Sequence, residues 1–126
     1  MKLRFEKNSI RFRVRKSDLE QLNHQGFVQE SVQFPGATFM FQLRVSGNAE
    51  PGAEFNDNSI TANIPVGIAT EWMNTDEVGI YHMQHTGDQT LEITIEKDFP
   101  CKDRPEEDRS DTFVEFAENS GKNEVC

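Results

Sequence analysis

The chain has 126 residues, a formal net charge of −9, 35% hydrophobic and 28% charged residues, and ten phenylalanines. That length supports one compact core rather than two ordinary domains, and the phenylalanines supply large side chains to fill it. No stretch reaches the roughly 20 apolar residues of a membrane span. Met1-Lys2-Leu3-Arg4-Phe5 lacks the apolar centre of a signal peptide, so a cytoplasmic protein without membrane contact is expected. The two cysteines, Cys101 and Cys126, have no CxxC spacing, which argues against a disulfide framework or a structural zinc site. Charge is uneven: residues 1–46 hold eight Lys or Arg against four Asp or Glu, and the remainder holds five against eighteen.

From the N-terminus, Leu3 and Phe5, then Ile10, Phe12 and Val14, alternate with Lys and Arg, the period of strands with one buried face, split by Lys7-Asn8. Ser17 followed by Glu20 forms a capping box for a short helix, and Gly26 supplies its left-handed stop. Val28, Val32 and Phe34 resume alternation, Pro35-Gly36 suits a type II turn, and Phe39, Phe41, Leu43 and Val45 return as a second strand. The stretch 47–57 is rich in Gly, Asn, Pro and Asp and is expected to be a linker.

The second half repeats this order. Shifted by fifty positions without a gap, Asn8-Ser9-Ile10 falls on Asn58-Ser59-Ile60, Val14 on Ile64, Leu22 on Trp72, Val28 on Val78, Phe41 on Leu91, Leu43 on Ile93 and Val45 on Ile95. The segment Val66 to Asn74, entered through Pro65, is expected to be the second helix, with Ala69 and Trp72 on one face. A second hairpin turns at His85-Thr86-Gly87-Asp88. These elements define an α+β, mostly β domain over residues 1–116. It is a duplicated strand-helix-hairpin unit, with repeats 8–46 and 58–96, forming a small twisted sheet or barrel of about eight strands with two short helices. After Lys97 the periodicity stops. The charged segment 97–116 is expected to dock through Phe99, Phe113 and Phe116, leaving 117–126 flexible.

Two resemblances follow. The run Glu96-Lys97-Asp98-Phe99-Pro100-Cys101, with Arg104, Glu107-Asp108, Ser110-Asp111 and Phe113, and the openings Met1-Lys2-Leu3-Arg4 and Asn8-Ser9-Ile10-Arg11, resemble a family of small uncharacterised bacterial proteins over nearly the whole chain. That resemblance implies no activity. Ile64-Pro65, Ala69, Trp72 and the hairpin after them are similar to AbrB-like swapped-hairpin transcription factors, although the first unit lacks the Ile-Pro. This second resemblance implies a cradle-shaped small barrel.

Arg11, Arg13 and Arg15 share one side of a strand, with Lys2, Arg4 and Arg44 expected beside them. Guanidinium groups about 7 Å apart could contact phosphates or a carboxylate-bearing ligand. With eighteen acids downstream, pairing within the chain ranks ahead of nucleic acid. Glu30 falls among apolar strand positions, and a buried carboxylate needs a partner, for which Arg104 is the expected choice. His82 and His85, three apart on a strand, face opposite ways and do not chelate one ion. Cys101 has basic neighbours Lys102 and Arg104 but no base positioned by sequence, and His24 sits at a helix end. No catalytic residue, metal or cofactor is assigned. The expected role is a non-catalytic binding or interaction module for a protein partner or small anionic ligand. The alternatives are an AbrB-like nucleic-acid binder, or a small enzyme or metal-binding protein around Cys101 and His82.

Overall fold

The structure, a computed structural model, describes residues 1–99 and 111–116. Its elements run β1 (Lys2–Glu6), β2 (Ser9–Val14), α1 (Lys16–Gln25), β3 (Phe27–Phe34), β4 (Ala37–Ser46), β5 (Gly52–Asn56), β6 (Ser59–Pro65), α2 (Val66–Asn74), β7 (Gly79–Thr86) and β8 (Gln89–Lys97). A single turn of 3-10 helix, Val114–Phe116, follows. Two four-stranded sheets form, with strand orders β1-β2-β8-β7 and β3-β4-β6-β5. Each sheet combines one hairpin from each half of the chain. The halves meet in parallel ladders, β2 on β8 and β4 on β6.

The inward-facing alternation of the strands makes one core of Ile10, Phe12, Val14, Val28, Phe41, Leu43, Ala62, Ile64, Ile80, Ile93 and Ile95, joined by Leu22, Ala69 and Trp72 of the helices. Trp72 is fully buried and donates its indole N–H to the Val78 carbonyl at 3.1 Å, so the ring enters the core without an unsatisfied donor. Gly26 closes α1 at φ +82°, donating to the Leu22 carbonyl at 3.0 Å. Pro65 leads into α2, and Asn74 and Thr75 end it by donating side-chain hydrogen bonds to the Thr70 and Glu71 carbonyls. Along the seam between the sheets, the Gln84 side-chain amide accepts from the Ala53 N–H at 2.6 Å and donates to the Ala53 carbonyl at 3.1 Å, imitating one rung of a ladder between β7 and β5.

Equivalent contacts recur in the two halves, and they date the registers. Met40 N–H donates to the Asn58 carbonyl and Glu92 N–H to the Asn8 carbonyl, each at 3.1 Å; Val45 N–H donates to Gly26 and Lys97 N–H to Val78, each at 2.9 Å. The first strands and helices correspond at a shift of fifty, but the second hairpins correspond at fifty-two: Leu43, opposite Val28 and Ala62, matches Ile95, opposite Ile80 and Phe12. The gapless alignment is therefore corrected after α2. The connection from α2 to β7 is longer than that from α1 to β3. A two-residue slip keeps every side chain on its own face, so hydrophobic alternation cannot register it. The stretch 47–57 is also corrected, because Gly52–Asn56 within it forms β5, paired antiparallel with β6.

Helix α1 begins differently from its sequence reading. The Ser17 and Glu20 capping box gives way to Asp18, which accepts from the Arg15 N–H at 2.9 Å, and to Asp111 beyond β8. The Asp111 carboxylate accepts from the Ser17 N–H at 3.1 Å and from its hydroxyl at 2.6 Å. Phe99, Phe113 and Phe116 pack together with Leu19 and Val78, and the Phe113 N–H donates to the Asp98 carbonyl at 2.7 Å. Lys97 lies beneath these rings, its ammonium 5.7 and 5.6 Å from the Phe113 and Phe116 centroids, and donates to the Thr75 carbonyl at 2.7 Å. Burial pushes its pKa below the ordinary lysine value, against the opposing pull of Asp76, Glu77 and Glu115.

The hydrogen bond from the Ser17 hydroxyl, helped by the Ser17 N–H and the charge of Arg15, holds Asp111 below the ordinary aspartate value of 3.8. Asp111→Ala should lower unfolding stability near neutral pH by about 1 kcal/mol, the usual cost of a lost helix cap. Since the folded carboxyl binds its proton less readily than the unfolded one, the gap between parent and variant should close as pH falls below 3.8. Denaturant unfolding of both proteins across that range reads the difference.

Candidate functional site

The outer face of the sheet β1-β2-β8-β7 gathers most of the charged strand residues. Alternation turns Arg11 and Arg13 of β2 away from the core, while Ile10, Phe12 and Val14 fill it. Pairing sets Lys2 of β1 opposite Arg13 and Arg4 opposite Arg11. The parallel ladder sets Glu96 of β8 beside Arg13, Thr94 beside Arg11 and Glu92 beside Ser9. On β7, Gly79 lies opposite Glu96 and Tyr81 opposite Thr94. Three rows result: Lys2, Arg13, Glu96 and Gly79; Arg4, Arg11, Thr94 and Tyr81; and Glu6, Ser9, Glu92 and Met83.

At the first row two acids, Glu96 and Asp98, are buried against Arg13, which is mostly buried, and against Lys2 and Arg11, which stay partly exposed. Glu96 Oε1 is 3.5 Å from Arg13 Nε and 3.7 Å from Arg11 Nε, and its Oε2 accepts from the Tyr81 hydroxyl at 3.0 Å. Asp98, almost wholly buried, has Lys2 Nζ at 3.2 Å and Arg13 Nη1 at 3.9 Å. The Arg13 guanidinium also lies 4.7 Å from the Phe99 ring centroid. Six charged or phenolic groups thus meet, the acids offset by the cations, while the Phe99 ring covers one guanidinium. Such a cluster holds its members in fixed geometry, because removing one would strand a buried opposite charge.

The lower two rows enclose an open groove of about 210 Å³ lined by Arg4, Glu6, Ser9, Arg11, Glu92 and Thr94. Small Ser9 lies between Glu6 and Glu92, and its hydroxyl is turned down to the Glu6 carbonyl at 2.6 Å, which leaves the depression.

The expected binding residues do not all meet here. Arg11 and Arg13 share the face with Lys2 and Arg4. Arg15 has left the strand and occupies the N-cap of α1. Arg44 belongs to β4 in the other sheet, 5.6 Å over the Phe27 ring, because the β3-β4 hairpin joins β6 rather than β2. Glu30 is corrected as well: its side chain is 43% exposed and sits 2.9 Å from the Met1 ammonium, since the end of the β3-β4 hairpin reaches past the core and leaves inward positions uncovered. Its expected partner Arg104 lies outside the described residues, as does Cys101. Phe99 and Phe113 are buried as described above.

His82 and His85 both lie on β7, and the His85 ring nitrogen Nδ1 is 3.0 Å from the Thr90 hydroxyl. Among the described residues no group of three or more His, Cys, Asp or Glu could hold a metal ion. Sequence reasoning missed Glu96, Asp98 and Tyr81, because nothing local to β8 marks it as a central strand. The available signal was charge: Arg-x-Arg in β2 and Glu-x-x-x-Glu in β8 are complementary once the two strands are placed side by side.

These features define a small α+β domain of two interleaved hairpin-helix-hairpin units, with charge concentrated on the outer face of one sheet. No helix among the described residues is long and apolar enough to cross a membrane. A model described as a family of unknown function, DUF7009, matches residues 1–116, and the chain belongs to that family. No curated protein and no solved structure matches it.

Gly79 clears the space in which Tyr81 reaches Glu96. A Cβ at this position would stand 2.8 Å from the Tyr81 hydroxyl oxygen, 2.9 Å from Glu96 Cγ and 3.0 Å from the Ile95 carbonyl oxygen. Gly79→Ala should therefore cost about 1–3 kcal/mol of stability, the range for overpacking. Adding Tyr81→Phe should recover part of that loss in denaturant unfolding, by removing the closest of the three clashes.

Proposed function

We propose that this protein is a non-catalytic cytoplasmic binding module that takes a small anionic ligand on the outer face of the β1-β2-β8-β7 sheet. The observation that carries this reading is the pair Arg4 and Arg11, directly opposite each other at the groove. Like charges facing across a strand pair are destabilising, a cost that Glu96, 3.7 Å from Arg11, offsets, and the pair brings two guanidiniums to one place. The other sheet supplies an internal comparison. Its equivalent cross-strand pair is Glu54 and Thr61, next to Gln42, and it builds the same four-strand arrangement. Two adjacent guanidiniums suit a carboxylate or phosphate, whose oxygens accept parallel charge-assisted hydrogen bonds.

The AbrB-like features, Ile64-Pro65, Ala69 and Trp72, support the interleaving of hairpins and leave nucleic acid out. Glu6, Glu92, Glu96 and Asp98 stand among the same cations, and a phosphate backbone laid on this face would meet them too. The Glu96-Lys97-Asp98-Phe99 run reads as the segment that anchors the residues after β8. A protein partner is favoured by a separate observation. Phe5, Val32, Phe34 and Phe55 take inward positions at the strand ends away from the helices, yet Phe5 is 58% and Phe55 67% exposed.

Titration of the isotope-labelled chain with valerate and, separately, inorganic phosphate tests the anion site. The expected result is saturable amide shifts centred on Arg11 and Thr94 that weaken with salt and are lost in Arg11→Thr, a residue the equivalent Thr61 shows the scaffold accepts. Shifts that persist in Arg11→Thr, or that centre elsewhere, would exclude this face.

A further inference from the structure

The groove carries a second charge of opposite sign. One row beyond Arg4 and Arg11, the carboxylates of Glu6 and Glu92 flank Ser9. Rows on one face of a strand lie about 7 Å apart, and strands about 5 Å apart. The two guanidiniums are therefore side by side, whereas the two carboxylates are two strands apart with a small residue between them. A group carrying a positive charge fits between those acids while an oxyanion rests on the arginines.

The duplicated scaffold again separates what the fold requires from what it does not. Where this sheet has Glu6, Ser9 and Glu92, the other has Asn56, Ser59 and Met40 in the same register. The serine is common to both faces, and both carboxylates are replaced by uncharged side chains. Neither the acid row nor the arginine row is needed to pair these strands, and both occur together on one face around one groove.

Resting on the reading that this face binds an anion, we infer that its ligand is a small zwitterion: an oxyanion held by Arg4 and Arg11, and a primary ammonium held between Glu6 and Glu92. The row spacing of about 7 Å sets the distance between its charged ends. That excludes the α-amino acid pattern, in which both charges sit on one carbon, and selects an amine and an acid joined by a short flexible chain. The volume of about 210 Å³ matches such a molecule; it is the space of roughly seven waters.

The probe is δ-aminovalerate, with valerate, pentylamine and glycine as controls, titrated into the full chain and followed by amide shifts of Ser9, Arg11, Glu92 and Thr94. δ-Aminovalerate should bind at least about tenfold more tightly than valerate, the gain of one charge-assisted contact. Glycine should not show that gain. Glu92→Met, copying Met40, should bring δ-aminovalerate and valerate to the same affinity, whereas Arg11→Thr should abolish both. If valerate binds as well as δ-aminovalerate, or if Glu92→Met leaves their ratio unaltered, the ammonium site is wrong and the anion site survives. If neither molecule moves the signals of Arg11 and Thr94, both the zwitterion and the anion reading fall.

Discussion

The fold depends on strand pairing between the two halves of the chain. Within either half, the first hairpin and the second hairpin belong to different sheets, so a half on its own offers two separate ribbons joined by a helix. Isolated two-stranded hairpins are marginal in water. Only the parallel ladders β2 on β8 and β4 on β6 give each ribbon a neighbour and close one core between the sheets. Those ladders also determine the chemistry of the outer surface, because they place Glu96 against Arg13 and Thr94 against Arg11. Charge on this face is thus assembled from residues more than eighty positions apart.

The same scaffold occurs twice with different surface chemistry. At the position of Glu96 the other sheet has Arg44, and at that of Gly79 it has Phe27, whose ring receives the Arg44 guanidinium. Where Thr94 and Tyr81 stand, Gln42 and Gln29 share a side-chain hydrogen bond at 3.0 Å. One face is built largely from amides, hydroxyls and a stacked arginine; the other is built from ion pairs and a groove. Burial of the core residues is similar under both, which locates the specialisation on the outside of the sheets and not in their packing.

Much of the architecture was legible in the sequence, because alternation and turn chemistry are local. Ile10, Phe12 and Val14, the Pro35-Gly36 turn with Gly36 at φ +84°, and the Ala69-Trp72 helix face all occur as their patterns imply. Partners distant in the chain were not legible. Nothing local in β8 names β2 as its neighbour, and so Glu96 and Asp98 escaped notice while Arg11 and Arg13 did not. Arg44 was misplaced for the same reason. The shift of fifty-two was hidden by the two-residue period of strands. Glu30 misled because alternation specifies a face, and whether that face is covered depends on how far the hairpin extends past its neighbours. The part of the α1 cap that Asp111 supplies is too remote for any helix-start pattern to include it.

Lys97 occupies the position that Val45 holds in the first half, so an amine stands at one end of the core where its counterpart is aliphatic. Its lowered pKa enlarges the neutral, nucleophilic fraction of that amine, while burial beneath Phe113 and Phe116 denies it to reagents. Acylation of Lys97 by a small electrophile is therefore gated by the lifting of those two rings. The reaction rate at this one side chain measures how often Phe113 and Phe116 lift from it, a local opening equilibrium that global unfolding does not resolve.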